Sequence, residues 1–182
     1  MIALGVIADT HVPDRARRLN PRAVSVFREA GVRAILHAGD ICSARVLHQL
    51  EEVAPVHAVR GNRDFVRLSY LPQKLTLEFE GITIGMTHGH GGVSGYLVNK
   101  LCYLIEGYQI VRYQNWLPRE FPTAKVIIFG HTHRSENSWS NGVLFFNPGS
   151  ASKLRWGHIP SSVGLLHIWA GGRIEGEIIS IG

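Results

Sequence analysis

Three short, β-branched apolar runs at residues 2–8, 34–37 and 56–59, separated by two helix-patterned segments, constrain this chain more than any other feature. The segment 21–30 has Asn20 in place as an N-cap and Pro21 in the first turn, and the segment 44–52 is preceded by the capping residue Ser43. A β-α-β-α-β order implies parallel strands joined by right-handed crossovers. The pattern then changes. Residues 74–79 and 82–86 flank Glu80-Gly81 as a hairpin, and 95–116 reads as one long helix rich in Tyr and Leu. Residues 124–129 form another buried strand, 143–146 follow the turn pair Asn141-Gly142, and 163–169 and 173–181 flank Ala170-Gly171-Gly172 as a last hairpin. The expectation is an α/β fold with two packed mixed sheets and helices outside, in one domain spanning 1–182.

The chemistry lies in the residues at the end of each apolar run. In order, the runs end in Asp9-Thr10-His11, His37-Ala38-Gly39-Asp40, Arg60-Gly61-Asn62-Arg63-Asp64, Thr87-His88-Gly89-His90, Gly130-His131-Thr132-His133 and Asn147-Pro148-Gly149-Ser150. A lone Asp or His after a strand is usually a turn former or a cap. In α/β sheets, however, ligands gather at the carboxyl ends of strands. Six such ends would bring carboxylates, imidazoles and an amide together, which also accounts for many of the ten histidines. Gly39, Gly61, Gly89 and Gly130 sit where sharp turns and close backbone approach are needed.

These segments resemble the motifs D-x-H, G-D, G-N-x-[DE], H-G-H and G-H-x-H of the calcineurin-like metallophosphoesterase superfamily. Within it the chain is similar to the small YfcE-type phosphodiesterases, which are related to the retromer scaffold subunit, a relative with eroded ligands. The resemblance runs along essentially the whole chain. It implies a four-layer α/β/β/α sandwich. It also implies one divalent cation held by Asp9, His11, Asp40 and His133, and a second held by Asp40, Asn62, His88 and His131, with Asp40 bridging. Such a centre hydrolyses a small phosphodiester by attack of a hydroxide that bridges the two cations. A phosphomonoesterase, a nuclease or a protein-binding scaffold are the alternatives. With no thiolate among the ligands, residue type leaves Mn, Fe, Zn, Ni and Co all open, with Mn as the expected metal.

Many superfamily members carry His directly after the Asn, as a proton donor to the leaving group. This chain has Arg63, which stays charged and cannot donate a proton, but could fork onto a phosphate oxygen. His90, two residues beyond His88, is the substitute acid candidate, against a purely supporting hydrogen bond. Asn147-Pro148-Gly149-Ser150 is expected to buttress the metal loops. His37, His48, His57, His158 and His167 read as ordinary core or surface histidines.

The formal net charge of +5 favours anionic ligands without identifying one. Arg15, Arg17, Arg18, Arg22 and Arg28 could guide a polyanion, but no aromatics interleave with them, so nucleic acid is the less favoured partner. The apolar N-terminal run has no cationic flank and reads as a buried strand. No run reaches ~18 apolar residues, so no membrane span is expected. Cys42 and Cys102 form no close pair, which suits a reducing cytoplasm. Tyr96, Tyr103, Tyr108, Tyr113 and Trp116 lie on more than one face of the 95–116 segment, compatible with a homo-oligomer, although sheet packing explains most of them. P-loop, H-E-x-x-H, G-x-G-x-x-G and G-x-S-x-G motifs are absent.

Overall fold

The fold is taken from a computed structural model that describes residues 1–91, 107–152 and 160–182. Its first half is the expected alternation: β1 (Ile2–Ile7), α1 (Pro21–Glu29), β2 (Ala34–His37), α2 (Ala44–Glu51) and β3 (Val56–Ala58). Both caps are formed, Asn20 and Ser43 accepting from the N–H groups of Arg22 and Arg45. β1, β2 and β3 pair in parallel. The hairpin β9 (Ser162–Ile168) and β10 (Ile174–Ser180) adds antiparallel to β1, completing a sheet of order β10-β9-β1-β2-β3. The second sheet, of order β4-β5-β6-β8-β7, comprises β4 (Lys74–Phe79), β5 (Ile82–Thr87), β6 (Val126–Ile128), β7 (Ser135–Ser140) and β8 (Val143–Pro148).

The period-two alternation of strand side chains sorts the apolar residues into three cores. Leu4, Val6, Leu36 and Leu166 of the first sheet meet Ile84, Met86, Val126, Ile128, Leu144 and Phe146 of the second. On the outer face of the first sheet, Ala3, Ile35, Val163 and Leu165 pack beneath Phe27 of α1 and Val46 and Leu50 of α2. On the outer face of the second, Ile127, Phe129 and Phe145 pack against Tyr113 and Leu117 of α3 (Ile110–Glu120) and Phe121. The result is the α/β/β/α layering.

Two expectations need correction. The helix expected over 95–116 does not run through to Trp116 as one element. Residues 107–109 are not helical, Gly107 takes φ +72°, and α3 starts at Ile110 and continues to Glu120 with Pro118 in its last turn. Tyr96, Cys102, Tyr103 and His158 fall outside the described residues. The second correction is β7, a strand where the sequence predicts none. Its sequence, SENSWS, is almost wholly polar, so no apolar alternation marks it. It is an edge strand held by the two-residue turn Asn141-Gly142, both with positive φ, which pairs it with β8. Among the described residues, no helix is long and apolar enough to cross a membrane.

Candidate metal centre

Each chemically active segment leaves the carboxyl end of its strand and turns sharply. Asp9, His11, Asp40, His131 and His133 all have positive φ, between 47° and 69°. That conformation is costly for non-glycine residues, and clusters of it mark functional loops. Backbone bonds hold the turns in register: the Asp9 and His11 N–H groups donate to the carbonyls of Gly39 and Asp40, both at 3.0 Å. A side chain at Gly61 would collide with the Asp40 carboxylate, and one at Gly39 would sit 2.8 Å from both the Gly61 nitrogen and His88 Nδ1. Those two glycines let β2's loop, β3's loop and His88 close on one another.

Asp9, His11, Asp40 and His88 are all buried. Asp9 Oδ1 lies 3.1 Å from His133 Nε2 and 3.5 Å from His11 Nε2, and the two imidazoles approach each other at 3.1 Å. On the other side, His88 Nε2 lies 3.4 Å from Asp40 Oδ1. His131 Nδ1 stands 3.1 Å from Asn62 Oδ1, and the His88 and His131 rings are 5.2 Å apart. All seven expected ligands therefore fall in one cluster. Within it, Asp9, His11 and His133, and separately Asp9, Asp40 and His88, offer donor atoms within 4.8 Å of one another.

The donor set fits divalent cations. A carbonyl only accepts, so His88 Nδ1 must carry the proton it gives Ala38 O at 2.7 Å. As a metal ligand His88 would be neutral and point the lone pair of Nε2 at the Asp40 carboxylate; without a cation there, the Asp40 and Asp9 carboxylates favour a proton on the ring instead. His88 Nε2 and Asp9 Oδ1 are both buried without a hydrogen bond. A carboxylate oxygen and an imidazole nitrogen buried close together without a hydrogen bond call for a positive charge between them, a proton or a metal ion. The ionisation equilibria carry the same message. Burial raises Asp40, and Asp9's charge adds to this against the pull of His88. Burial also disfavours charge on Asp9, but His133, His88 and His11 outweigh it and hold this carboxyl below the usual range. Burial would lower His88, yet the Asp40 and Asp9 carboxylates reverse it. Burial above all, against the opposing pull of the Asp9 carboxylate, brings His11 and His131 down to about 3, leaving neutral imidazoles suited to ligation.

Arg63 donates its backbone N–H to Asp40 Oδ1 at 2.9 Å, and its guanidinium reaches Asp14 at 3.7 Å and Asp40 Oδ2 at 4.0 Å. It thus leans over the cluster. His90 is at the edge, its ring 6.3 Å from that of His131, with Nδ1 buried and without a hydrogen bond. Burial, then the charges of His88 and Arg60, lowers it to about 4.

The supporting residues are less legible in the sequence. Asp64 is fully buried and accepts from three backbone N–H groups: Ile41 (3.0 and 3.2 Å to its two oxygens), Cys42 (2.7 Å) and Gly61 (2.8 Å). It straps the Asp40 loop to the Asn62 loop. His37, expected to be an ordinary histidine, is buried beside the site. Its Nδ1 accepts from Gly39 N–H, so Nε2 donates to Thr10 Oγ1 at 3.2 Å. Asn147 buttresses the His131 loop, donating to Gly130 O and Thr132 Oγ1, while Ser150 and Ser152 donate to Asp9 O at 3.1 and 3.0 Å. The signal for Asp64 is its place in the Gly61–Asp64 motif, and for the serines their position after β8.

The chain is 35% identical over 179 residues to a probable metallophosphoesterase of Methanothermobacter thermautotrophicus, covering 98% of this chain and 92% of that one. Its fold matches a structurally and functionally characterised archaeal phosphodiesterase with a TM-score of 0.69 at 19% identity, over 98% of this chain and 100% of the other. It also matches Vps29 of Chaetomium thermophilum with a TM-score of 0.71 at 20% identity, over 98% and 94%. A family profile described as the calcineurin-like phosphoesterase superfamily domain fits residues 2–171, and the chain belongs to that superfamily.

Proposed function

We propose that this phosphoesterase is a dinuclear metal-dependent phosphodiesterase acting on a small substrate. Asp9, His11, Asp40 and His133 would hold one divalent cation and Asp40, Asn62, His88 and His131 the other, with Asp40 serving both. Mn is the proposed metal, and the O/N donor set accommodates Fe, Zn, Ni or Co as well. The observation that carries the reading is the opposed pair His88 Nε2 and Asp40 Oδ1, together with the unsatisfied Asp9 Oδ1. Bound divalent cations supply Lewis-acid charge at the phosphoryl group and lower the pKa of water to near neutrality.

The chain's own residues do the rest. Buried loops tied by Asp64, Asn147, Ser150 and Ser152 hold the donors in place before substrate arrives. Arg63, already poised between Asp14 and Asp40, exchanges one carboxylate for a phosphate oxygen. His90, neutral near pH 7, takes up a proton when an anionic phosphate raises its basicity, and gives it to the leaving oxygen. The scaffold alternative, motivated by the likeness to Vps29, is disfavoured by the complete set of donors.

The test is to strip the protein of metal and assay a chromogenic phosphodiester and its monoester with Mn, Ni, Co, Zn and Mg in turn, alongside Asp40→Asn. Metal-dependent turnover of the diester above the monoester, lost in the variant, is the expected result. A preference for the monoester moves the substrate class to phosphomonoesters. No turnover with any metal in folded protein leaves the scaffold reading in first place.

A further inference from the structure

The loop after β3 carries more than Asn62 and Arg63. Phe65, Val66 and Tyr70 are 67%, 84% and 68% exposed, and they form the densest group of large exposed hydrophobic residues among the described residues. Large apolar side chains turned to water on one short loop mark a binding surface. Here they interleave with Arg60, Arg63 and Arg67. The Arg60 guanidinium lies over the Phe65 ring, 5.8 Å from its centroid, and is fixed by donating to Ser69 O at 3.0 Å. Phe65 follows Asn62 by three residues, so this loop leads from the surface to the edge of the cluster.

The charges on this loop select the occupant. Its one carboxylate, Asp64, is buried and taken up by backbone N–H groups. Arg63 and Arg67 both turn to Asp14, so two guanidinium groups share that carboxylate, while Arg60 is held by a backbone carbonyl, which leaves an excess of positive charge at the loop. An aromatic ring with a cation on one face and water on the other, beside a phosphate-binding centre, suits a planar base attached to a phosphodiester. Bases stack on aromatic rings and guanidinium planes whatever their sequence.

We infer that the loop carrying Arg60, Phe65 and Tyr70 is the subsite for the nucleoside arm of a phosphodiester, so that the substrate class is nucleoside phosphodiesters. The inference rests on the phosphodiesterase reading above. Phe65 supplies the stacking face, Arg60 holds that face and offers its own plane, and Tyr70 borders the nucleoside.

The test uses two chromogenic diesters with the same leaving group, thymidine 5′-(p-nitrophenyl phosphate) and methyl p-nitrophenyl phosphate. p-Nitrophenolate departs without needing a proton, so the pair differs only in the arm that stays. On the full-length, metal-loaded protein we expect the nucleoside ester to be preferred in kcat/KM by about tenfold, mainly through KM. Phe65→Ala abolishes most of that preference and Phe65→Tyr restores it. The ring is largely exposed, so neither change threatens the fold. Equal kcat/KM for the two esters in the unaltered protein, or a preference untouched by Phe65→Ala, overturns the subsite while the phosphodiesterase reading stands. Turnover of neither ester removes both. Sedimentation of the same proteins supplies the last arm: a dimer that dissociates on Phe65→Ala assigns the patch to a second copy of the chain and overturns the inference.

Discussion

The two ends of the sheets use the same backbone conformation for opposite purposes. At one end lie the hairpin turns Glu80-Gly81, Asn141-Gly142 and Gly171-Gly172, with positive φ throughout. The first two are two-residue turns and the third is a longer one through Ala170-Gly171-Gly172; all contain Gly, which adopts that region at little cost, and they join antiparallel strands. At the other end the positive-φ residues other than glycine are Asp9, His11, Asp40, Cys42, His131 and His133. Here the side chains are imidazoles, carboxylates and a thiol, and most are buried. The first set ends strands and does nothing else. The second set is held in place by a web of backbone and buried side-chain hydrogen bonds. Strain collects where donors must converge.

The largest effect that separates the two ends is on activity. Asp40→Asn removes the carboxylate that both cations are proposed to share. We expect metal-dependent diester turnover to fall by about three orders of magnitude or more, with loss of bound metal by elemental analysis. The metal-free protein should be no less stable for the change, because the amide oxygen still accepts from Arg63 N–H and a buried carboxylate has been neutralised. A metal-free variant that melts well below the parent would assign Asp40 a structural role instead.

Next comes Asp64→Ala, which leaves three buried N–H groups without an acceptor. The expected cost is about 2–4 kcal/mol, a fall of roughly 5–15 °C in the thermal midpoint. Because the strap spans the Asp40 and Asn62 loops, metal affinity should fall with it. Unchanged metal binding in a destabilised variant would confine Asp64 to the fold.

The third test is pH. In the metal-free protein, burial holds His11 and His131 near 3 and His37 and His90 near 4, below the ordinary 6.5. Between those values the unfolded chain binds more protons than the folded one. The stability from neutral imidazoles is thus complete above about pH 6.5 and is lost as pH falls toward 3. His88, raised by Asp40 and Asp9, works in the opposite sense and offsets only part. The thermal midpoint should therefore fall steadily from pH 6.5 to 4, and a flat profile would show that the cluster is already protonated. The smallest effect belongs to the far end: Asn141→Ala, at φ 49°, should cost about 1 kcal/mol by denaturant titration with diester turnover unchanged.

This contrast also governs what is legible in the sequence. The parallel half is legible because its strands are apolar runs and its helices begin with Asn20 and Ser43, both of which form their caps. The seven donors are legible because each comes just after a strand, and the structure gathers all of them into one cluster. β7 escapes because its pairing comes from its turn and from β8 rather than from any apolar pattern, and its Asn137 reaches the other sheet by donating to Gly176 O. The helix expected over 95–116 is misplaced because aromatic content alone does not fix where a helix starts. Asp64 and His37 are hard to value from sequence because their partners are groups from other loops, which no local pattern reveals. The loop aromatics Phe65 and Tyr70 stand in plain view among arginines, but the denser basic stretch at Arg15–Arg28 is the stronger local signal.

The proposed donors divide between the sheets: Asp9, His11, Asp40 and Asn62 follow strands of the first, and His88, His131 and His133 follow strands of the second. Each proposed cation would then act as a clasp across the seam where the two sheets meet, a place also joined by apolar contact and by hydrogen bonds such as His131 N–H to Asp9 Oδ2 at 3.0 Å and His88 Nδ1 to Ala38 O at 2.7 Å. Binding to the folded chain alone adds about 2.7 kcal/mol at a hundredfold excess over Kd. The lifetime of this protein against proteases would then track the supply of its metal, so that starvation for the ion lowers the amount of enzyme as well as its activity.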